Sequence, residues 1–335
     1  MTRVLVARLD SDGDVLLAGP AIRAVAASAE VVLLVGPRGR QAAGLLPGVA
    51  ESLVWRAPWI DPEPRPVDPA DVEDLVARLT ALVLDAAVVL TSFHQSALPL
   101  ALLLRLAGVP RIAAISDDYP GSLLDVRHRI DGDPPEAERA LSLAAAAGYA
   151  LPPGDDGRLR VRGPLPDVAH LTGPGRYVVL HPGASVPARA WSPYRCGEAA
   201  GALAAAGHRV LVTGGPAETQ LTARVAGPAG ATDLGGRTTL AELAAVLAGA
   251  DAVVVGNTGP AHLAAAVGTP VVSLFSPVVP VERWAPYGVP TVLLGDQLAA
   301  CRASRARVCP VPGHPCLDSV TAEDVVAAVD KLVIA

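Results

Sequence analysis

A short turn in the last third of the chain carries residue types that could bind an anion. Residues 256–260 read Gly-Asn-Thr-Gly-Pro and follow an apolar β-branched run, Val253 to Val255. Such a run, bounded by glycine, is typical of a strand buried on both faces of a parallel sheet. We expect Thr258 to cap the next helix, whose free N–H groups favour phosphate, with His262 in its first turn. The pattern predicts a phosphate site, although an ordinary structural crossover shares it.

The first strand ends in an acidic stretch, residues 10–14, which read Asp-Ser-Asp-Gly-Asp. A dinucleotide fold needs a Gly-x-Gly-x-x-Gly turn at this place so that the backbone can approach the pyrophosphate, and the sequence lacks that pattern. Three carboxylates would instead repel phosphate. The stretch is either a solvated acidic loop before a helix that opens at Val15, or the source of a carboxylate that acts as a general base.

Two further glycine-containing loops follow apolar runs in the second half of the chain. Residues 181–185, His-Pro-Gly-Ala-Ser, can offer backbone N–H groups and the Ser185 hydroxyl to a phosphate. Residues 214–218, Gly-Gly-Pro-Ala-Glu, place Glu218 where its two oxygens could accept from adjacent ribose hydroxyls. The alternative for Glu218 is a simple acidic residue at a helix N-terminus.

Strand-like and helix-like segments alternate along the whole chain, which predicts an α/β fold. The polar stretch 117–135 is expected to be a long loop, and the Pro- and Gly-rich stretch 152–174 to be an interdomain linker. We expect two Rossmann-like domains, with doubly wound parallel sheets that face each other across a cleft. The expected boundaries are 1–165 and 166–335, with the last helix either in the second domain or packed back on the first.

Composition narrows the classes of function. The 335 residues carry a formal net charge of −6 and a single lysine, Lys331, so nucleic-acid binding, a lysine-dependent P-loop and a Schiff-base mechanism are not expected. Among the four cysteines there is no Cys-x-x-Cys pair; a zinc site near the last three is a minor alternative, and a reducing compartment is expected. Without a signal-like or membrane-spanning segment, we expect a cytoplasmic protein, in at most peripheral contact with the inner face of the plasma membrane.

The order of these motifs resembles glycosyltransferase family 9, the lipopolysaccharide heptosyltransferases. Residues 256–270, G-N-T-G-P-A-H-L-A-A-A-V-G-T-P, are similar to the family signature D-T-G-P-x-H-L-A-A-A-x-G-x-P, with Asn257 in place of the aspartate. Residues 13–22, G-D-V-L-L-A-G-P-A-I, resemble its G-D-x-x-x-x-x-P-A-[LI] segment. The other similar stretches are 181–193, 212–218, 234–243 and 309–317.

The resemblance implies a GT-B architecture and assigns roles to particular residues. Asp14 would be the general base, with its pKa raised by like-charge repulsion from Asp10 and Asp12. The donor would be bound by Gly183, Ser185, Arg189, Gly214, Gly215, Glu218, Thr239, Asn257, Thr258, Gly259 and His262. Beside the resemblance, we predict that Asp12, His94, Gln95 and Tyr119 contact the acceptor. The resemblance implies neither a metal nor a cofactor.

The function that follows is an inverting, metal-independent glycosyl transfer. A heptose-like sugar would pass from a nucleotide diphosphate donor, ADP-heptose by resemblance, to a hydroxyl of a glycan, a glycolipid or a small natural product. Asn257 leaves the donor sugar and nucleotide open. Two alternatives remain on the same fold: a nucleotide-sugar epimerase, and a non-catalytic nucleotide-sugar-binding protein. The sequence does not specify the acceptor, the linkage position or the oligomeric state.

Overall fold

The structure, a computed structural model, describes residues 2–333 and divides after Arg162 into two compact units. Each unit contains one six-stranded sheet in which every pair of neighbouring strands is parallel. Parallel neighbours require crossover connections, which the intervening helices provide. The predicted α/β class with two doubly wound parallel sheets is confirmed.

Unit 1 has the strand order β3-β2-β1-β4-β5-β6. Its strands are β1 (Arg3–Arg8), β2 (Glu30–Val35), β3 (Val49–Val54), β4 (Ala86–Leu90), β5 (Ile112–Ile115) and β6 (Val126–His128). Its α-helices are α1 (Asp12–Leu17), α2 (Gly19–Ala26), α3 (Arg40–Ala43), α4 (Pro69–Ala81), α5 (Leu98–Leu106) and α6 (Glu136–Ala146). The strand order reverses between β1 and β4, which is the switch point where open α/β sheets bind ligands.

Two expectations for unit 1 are wrong. The stretch 117–135 is not only a loop, because it contains β6, which pairs with β5 at the edge of the sheet. β6 is three half-buried residues long and so gives no apolar run to recognise. The acidic stretch 10–14 is a loop only as far as Ser11: α1 begins at Asp12, three residues before Val15, because acidic residues are favourable in the first turn of a helix.

Unit 2 has the strand order β12-β11-β10-β7-β8-β9, which reverses between β7 and β10. Its strands are β7 (Val178–His181), β8 (Val210–Gly214), β9 (Thr232–Gly235), β10 (Ala252–Gly256), β11 (Val271–Leu274) and β12 (Thr291–Leu294). Its α-helices are α7 (Ala169–Thr172), α8 (Pro193–Ala205), α9 (Thr219–Ala229), α10 (Leu240–Ala248), α11 (Gly259–Ala266), α12 (Val281–Trp284), α13 (Pro315–Asp318) and α14 (Ala322–Val333).

The core of unit 2 explains why its central strands read as continuous apolar runs. Alternate residues of β7, Val178 and Leu180, pack in one cluster with Leu203 of α8 and with Val325 and Val329 of α14. The intervening residues of β7 are buried as well, and so is every residue of β10. Helices therefore cover both faces of the sheet, and the last helix, α14, packs within unit 2.

Candidate active site

Arg8, the last residue of β1, lies at the centre of a buried charge cluster at the switch point of unit 1. Its Nε lies 3.0 Å from Asp10 Oδ2, and its Nη2 lies 3.0 Å from Asp14 Oδ1. Its Nη1 lies 3.5 Å from Glu136 Oε2, and Nη2 also donates to Ser92 Oγ at 2.9 Å. Only 3% of the Arg8 side chain is exposed, so water and salt screen these charges little.

The position of Asp14 follows from the start of α1. Ser11 is the N-cap residue, and Asp14 Oδ2 accepts hydrogen bonds from the Ser11 N–H at 3.2 Å and from the Ser11 hydroxyl at 2.7 Å. Burial opposes the ionisation of Asp14, but Arg8 and the Ser11 hydrogen bonds outweigh it and lower the pKa of Asp14. The expected rise in the pKa of Asp14 is therefore wrong, because a guanidinium contacts the acids and its opposite charge prevails.

The pKa of Asp10 is shifted in the opposite direction. Burial raises the pKa of Asp10 to about 6; Arg8 opposes this rise, and the charges of Asp14 and Glu136 reinforce it. Asp10 Oδ1 accepts a hydrogen bond from Gln95 Nε2, and Oδ2 remains in contact with Arg8. Gln95, one of the four residues predicted to contact the acceptor, is thus hydrogen-bonded to the charge cluster.

The other three residues assigned to the acceptor have different surroundings. Asp12 Oδ1 accepts a hydrogen bond from the backbone N–H of Ala42 at 2.9 Å and so ties α1 to α3. His94 is exposed and packs edge-on against the ring of Phe93. Tyr119 is 85% exposed, in the segment between β5 and β6. A contact between these side chains and an acceptor stays a prediction.

Sequence reasoning missed Arg8 and Glu136. The pairing of Arg8 could have been predicted, because a charged residue at the end of an otherwise apolar strand must pair with carboxylates if it is buried. The role of Glu136 could not have been predicted, because its sequence position is that of an ordinary acidic residue in the first turn of a helix. In the structure its side chain is 1% exposed, and both carboxylate oxygens lack a hydrogen-bond partner.

In unit 2, the loops that follow β7, β8 and β10 leave the same edge of the sheet, because these strands are parallel neighbours. His181 ends β7, and its Nδ1 lies 3.0 Å from Thr213 Oγ1 while its Nε2 lies 3.9 Å from Glu218 Oε2. Burial lowers the pKa of His181, although Glu218 opposes the change. His181 is therefore a neutral imidazole at physiological pH.

Gly183 and Glu218, both assigned to the donor, are in close contact. A Cβ atom at Gly183 would lie 2.6 Å from Glu218 Oε2 and closer still to Oε1, so only glycine leaves room for this carboxylate. Glu218 Oε2 accepts a hydrogen bond from the Gly215 N–H at 2.7 Å, and Gly214 packs against the Glu218 side chain. The structure thus brings the loops after β7 and β8 together around one carboxylate.

The segment after β7 also reaches the end of β10. Arg189 ends a short 3₁₀ turn and is half-buried, whereas Ser185 is exposed in the preceding loop. A Cβ atom at Gly256, the last residue of β10, would lie 3.1 Å from the Arg189 carbonyl oxygen. The backbone at Arg189 therefore adjoins the turn that begins at Gly256.

That turn places a buried amide next to the start of α11. Asn257 is 3% exposed, and its Nδ2 has no hydrogen-bond partner. Thr258 is the N-cap residue, but its hydroxyl donates to the Gly256 carbonyl at 3.4 Å, so the expected side-chain cap is wrong. α11 begins at Gly259, and His262 is buried in its first turn. The N–H groups at this helix end remain suited to a phosphate.

Thr239 caps α10. Its Oγ accepts a hydrogen bond from the Glu242 N–H at 3.2 Å, and Glu242 Oε2 accepts from the Thr239 N–H at 2.8 Å. This reciprocal pair is the capping box expected from the spacing of the two residues. A donor contact through the Thr239 hydroxyl would compete with its bonds to Glu242.

Within residues 2–333, His, Cys, Asp and Glu form no group of three placed to hold a metal ion. Cys196, Cys301 and Cys316 are buried, and Cys309 is half-buried. Burial raises the pKa of Cys196 to about 12 and that of Cys316 to about 11, so both remain thiols at physiological pH.

Comparison with known proteins identifies the family. The profile of glycosyltransferase family 9 (heptosyltransferase) matches residues 74–313, which include the loops after β7, β8 and β10. This chain belongs to glycosyltransferase family 9. The resemblance seen in the sequence motifs is therefore confirmed.

Among curated proteins, lipopolysaccharide heptosyltransferase 3 of Escherichia coli is 30% identical over 199 residues, which make up 57% of this chain. The match covers 55% of that protein, so this chain aligns with about half the length of its curated relative.

Solved structures of family 9 proteins share the fold. A glycosyl transferase family 9 structure from Veillonella parvula superposes with a TM-score of 0.78 at 17% identity, covering 99% of this chain and 97% of that one. The E. coli heptosyltransferase WaaC with ADP gives a TM-score of 0.72 at 21% identity, covering 99% and 100%. The predicted GT-B class is confirmed. In the part of the chain that the structure describes, every helix is too short or too polar to cross a bilayer.

Proposed function

We propose that this chain transfers a heptose-like sugar from a nucleotide diphosphate donor, ADP-heptose in the first instance, to an acceptor hydroxyl with inversion at the anomeric carbon. The observation that carries the proposal is the family 9 match, because it includes the three loops at the switch point of unit 2. In this fold class, ligands bind where the strand order reverses.

Unit 2 supplies the groups that a nucleotide sugar requires. The N–H groups at the start of α11 and the Arg189 guanidinium would hold the diphosphate, with the Ser185 hydroxyl beside them. Glu218 would accept hydrogen bonds from the ribose hydroxyls. The buried Nδ2 of Asn257 would donate to an oxygen of the donor, which satisfies an amide that otherwise lacks a partner.

Asp14 of unit 1 would be the general base. The acceptor oxygen attacks the anomeric carbon, its proton passes to the Asp14 carboxylate, and the bond from the anomeric carbon to the diphosphate breaks with its electron pair on phosphate. A single displacement of this kind inverts the configuration. The low pKa of Asp14 keeps the group ionised and able to accept the proton at neutral pH.

The leaving diphosphate acquires negative charge as the bond breaks. The Arg189 guanidinium and the N-terminus of α11 would stabilise that charge, a role that a divalent ion fills in other transferases. We therefore expect transfer to continue in excess EDTA. A loss of activity in EDTA that magnesium restores would overturn this part of the proposal.

Incubation with a panel of donors and acceptors tests the function. The donors are ADP-heptose, ADP-glucose and UDP-glucose, and the acceptors are a lipopolysaccharide core oligosaccharide, a glycolipid and an aminocyclitol. Transfer is expected with ADP-heptose, with product mass and anomeric configuration read by mass spectrometry and NMR. Isomerised donor without any acceptor would indicate an epimerase, and donor binding without turnover would indicate a binding protein; either result contradicts the proposal.

A further inference from the structure

The charge cluster of unit 1 contains more carboxylates than its cations neutralise. Arg8 contacts Asp10, Asp14 and Glu136, and Glu136 Oε2 also lies 3.5 Å from Arg139 Nη1. Three carboxylates thus face two guanidinia, which leaves one excess negative charge in a buried site. Burial of unbalanced charge is costly, so one member of such a group tends to take up a proton.

Each arm of the Arg8 guanidinium is directed at a different carboxylate. Nε contacts Asp10, Nη2 contacts Asp14 and Nη1 contacts Glu136. A positive charge shared among three anions neutralises each one less than it would neutralise a single partner. The proton affinity of Asp14 therefore depends on whether Asp10 and Glu136 are ionised.

We propose that Asp10 is a positioning residue of the transfer reaction: it shares Arg8 with Asp14, and its ionisation keeps the Asp14 carboxylate basic enough to accept the acceptor's proton. When Asp10 takes up a proton, Arg8 is held by Asp14 and Glu136 alone and weakens Asp14 as a base. The negative charge of Glu136 competes with Asp14 for Arg8 through the third arm of the guanidinium. The inference rests on the proposed function, since it assumes that Asp14 is the base.

Two further observations support this role. The pKa of Asp10, raised by burial to about 6, allows Asp10 to gain a proton while the lowered pKa of Asp14 leaves that group ionised. Asp10 is also held in place by the amide of Gln95, so its position does not depend on its charge alone.

Other ionisable groups lie around the cluster and have to be considered in any pH profile. Asp12 of α1 is bonded to the Ala42 N–H and faces Arg38, and Arg139 of α6 acts on His128 of β6. Burial lowers the pKa of His128, and Arg139 lowers it further, so His128 is neutral above its usual pKa and adds no positive charge there.

The test compares pH profiles of kcat for the wild type and for Asp10→Asn, with ADP-heptose as donor and the acceptor identified in the panel. The wild type should lose activity as the pH falls through about 6. Asp10→Asn imitates the protonated form, so it should be about three- to tenfold slower at pH 8, with an unchanged KM for the donor and no inflection near 6. A profile parallel to that of the wild type would refute the proposal.

Glu136→Gln and Glu138→Gln provide a matched pair in the first turn of α6. Both remove one negative charge, but Glu136 is buried against Arg8 whereas Glu138 is exposed. Since the charge of Glu136 raises the pKa of Asp10, Glu136→Gln should move the inflection to lower pH. Glu138→Gln should leave it in place; equal shifts in the two variants would contradict the proposal.

A titration without turnover separates this inference from the proposed function. In protein labelled with ¹³C at the aspartate carboxyl carbons, one resonance should titrate near pH 6, disappear in Asp10→Asn and shift to lower pH in Glu136→Gln. If Asp14→Asn retains full activity, the base assignment fails even though this titration stands. If Asp14→Asn is inactive but no aspartate titrates near 6, the role of Asp10 fails alone.

Discussion

The contact between Gly183 and Glu218 makes a specific prediction for Gly183→Ala. The new methyl group would lie 2.6 Å from Glu218 Oε2, closer than any stable contact, so one of the two groups has to move. The Glu218 carboxylate is the end of a flexible side chain, whereas position 183 is backbone. We therefore expect the fold to persist and the carboxylate to be displaced, which breaks its 2.7 Å hydrogen bond from the Gly215 N–H.

The magnitude follows from that hydrogen bond. A hydrogen bond to a charged group contributes about 1.5–3 kcal/mol. Replacing glycine by alanine in an accessible conformation stabilises the folded state by about 0.4–1 kcal/mol, because it restricts the unfolded chain. The free energy of unfolding should thus fall by about 1–2 kcal/mol. If Glu218 binds the ribose as proposed, the affinity for ADP should also fall, by about tenfold for each 1.4 kcal/mol lost.

Urea denaturation and calorimetric titration with ADP measure the two effects. Gly197→Ala in α8 is the matched control, because a Cβ atom there meets nothing within 4 Å; it should slightly stabilise the helix and leave ADP binding unchanged. In a Glu218→Ala background there is no carboxylate to displace, so Gly183→Ala should cost nothing. An equal cost in both backgrounds would show that the contact is not the cause.

Three further predictions concern stability. Hydrogen bonds from Arg23 are the chief cause that lowers the pKa of Asp155 to about 2. Asp155→Asn should therefore lower the free energy of unfolding, measured with urea at pH 7, by about 2 kcal/mol, and this loss should vanish as the pH falls from 4 to 2. For Asp10 the pH dependence has the opposite sign, because its folded pKa of about 6 exceeds the usual value of 3.8. The unfolding free energy of Asp10→Asn relative to the wild type should therefore rise by about 2 kcal/mol from pH 4 to pH 7, and a difference that does not change with pH would contradict the raised pKa. Thr239→Ala removes the N-cap of α10 and should cost about 1 kcal/mol at any pH, whereas no loss would mean that the Glu242 N–H finds another partner.

The fold could be predicted from the sequence where burial dictates the pattern. Apolar runs in the sequence coincide with β4, α5 and β12, and glycine or proline marks the end of α5 and both ends of β12. β6 could not be predicted, since an edge strand of three half-buried residues has no such run. The predicted start of α1 was three residues too late, because acidic residues are equally typical of a solvated loop and of the first turn of a helix.

The site was predicted less completely than the fold, because its chemistry depends on partners distant in sequence. The motif spacing singled out Asp14, but its electrostatic environment is set by Arg8, six residues earlier, and by Glu136, which lies far along the chain. From the local sequence we inferred repulsion between the neighbouring acids and overlooked the opposite charge of Arg8. The contact between Gly183 and Glu218 likewise appears only when β7 and β8 are paired.

The most direct test of the proposed mechanism is the rate of sugar transfer from ADP-heptose by Asp14→Asn, compared with the wild type at pH 8 and saturating acceptor. Loss of a general base should lower kcat by about 10²- to 10⁴-fold, while the affinity for ADP, measured by calorimetry, stays the same. A variant that binds ADP normally and transfers the sugar within about threefold of the wild-type rate would contradict the assignment of Asp14 and the mechanism built on it.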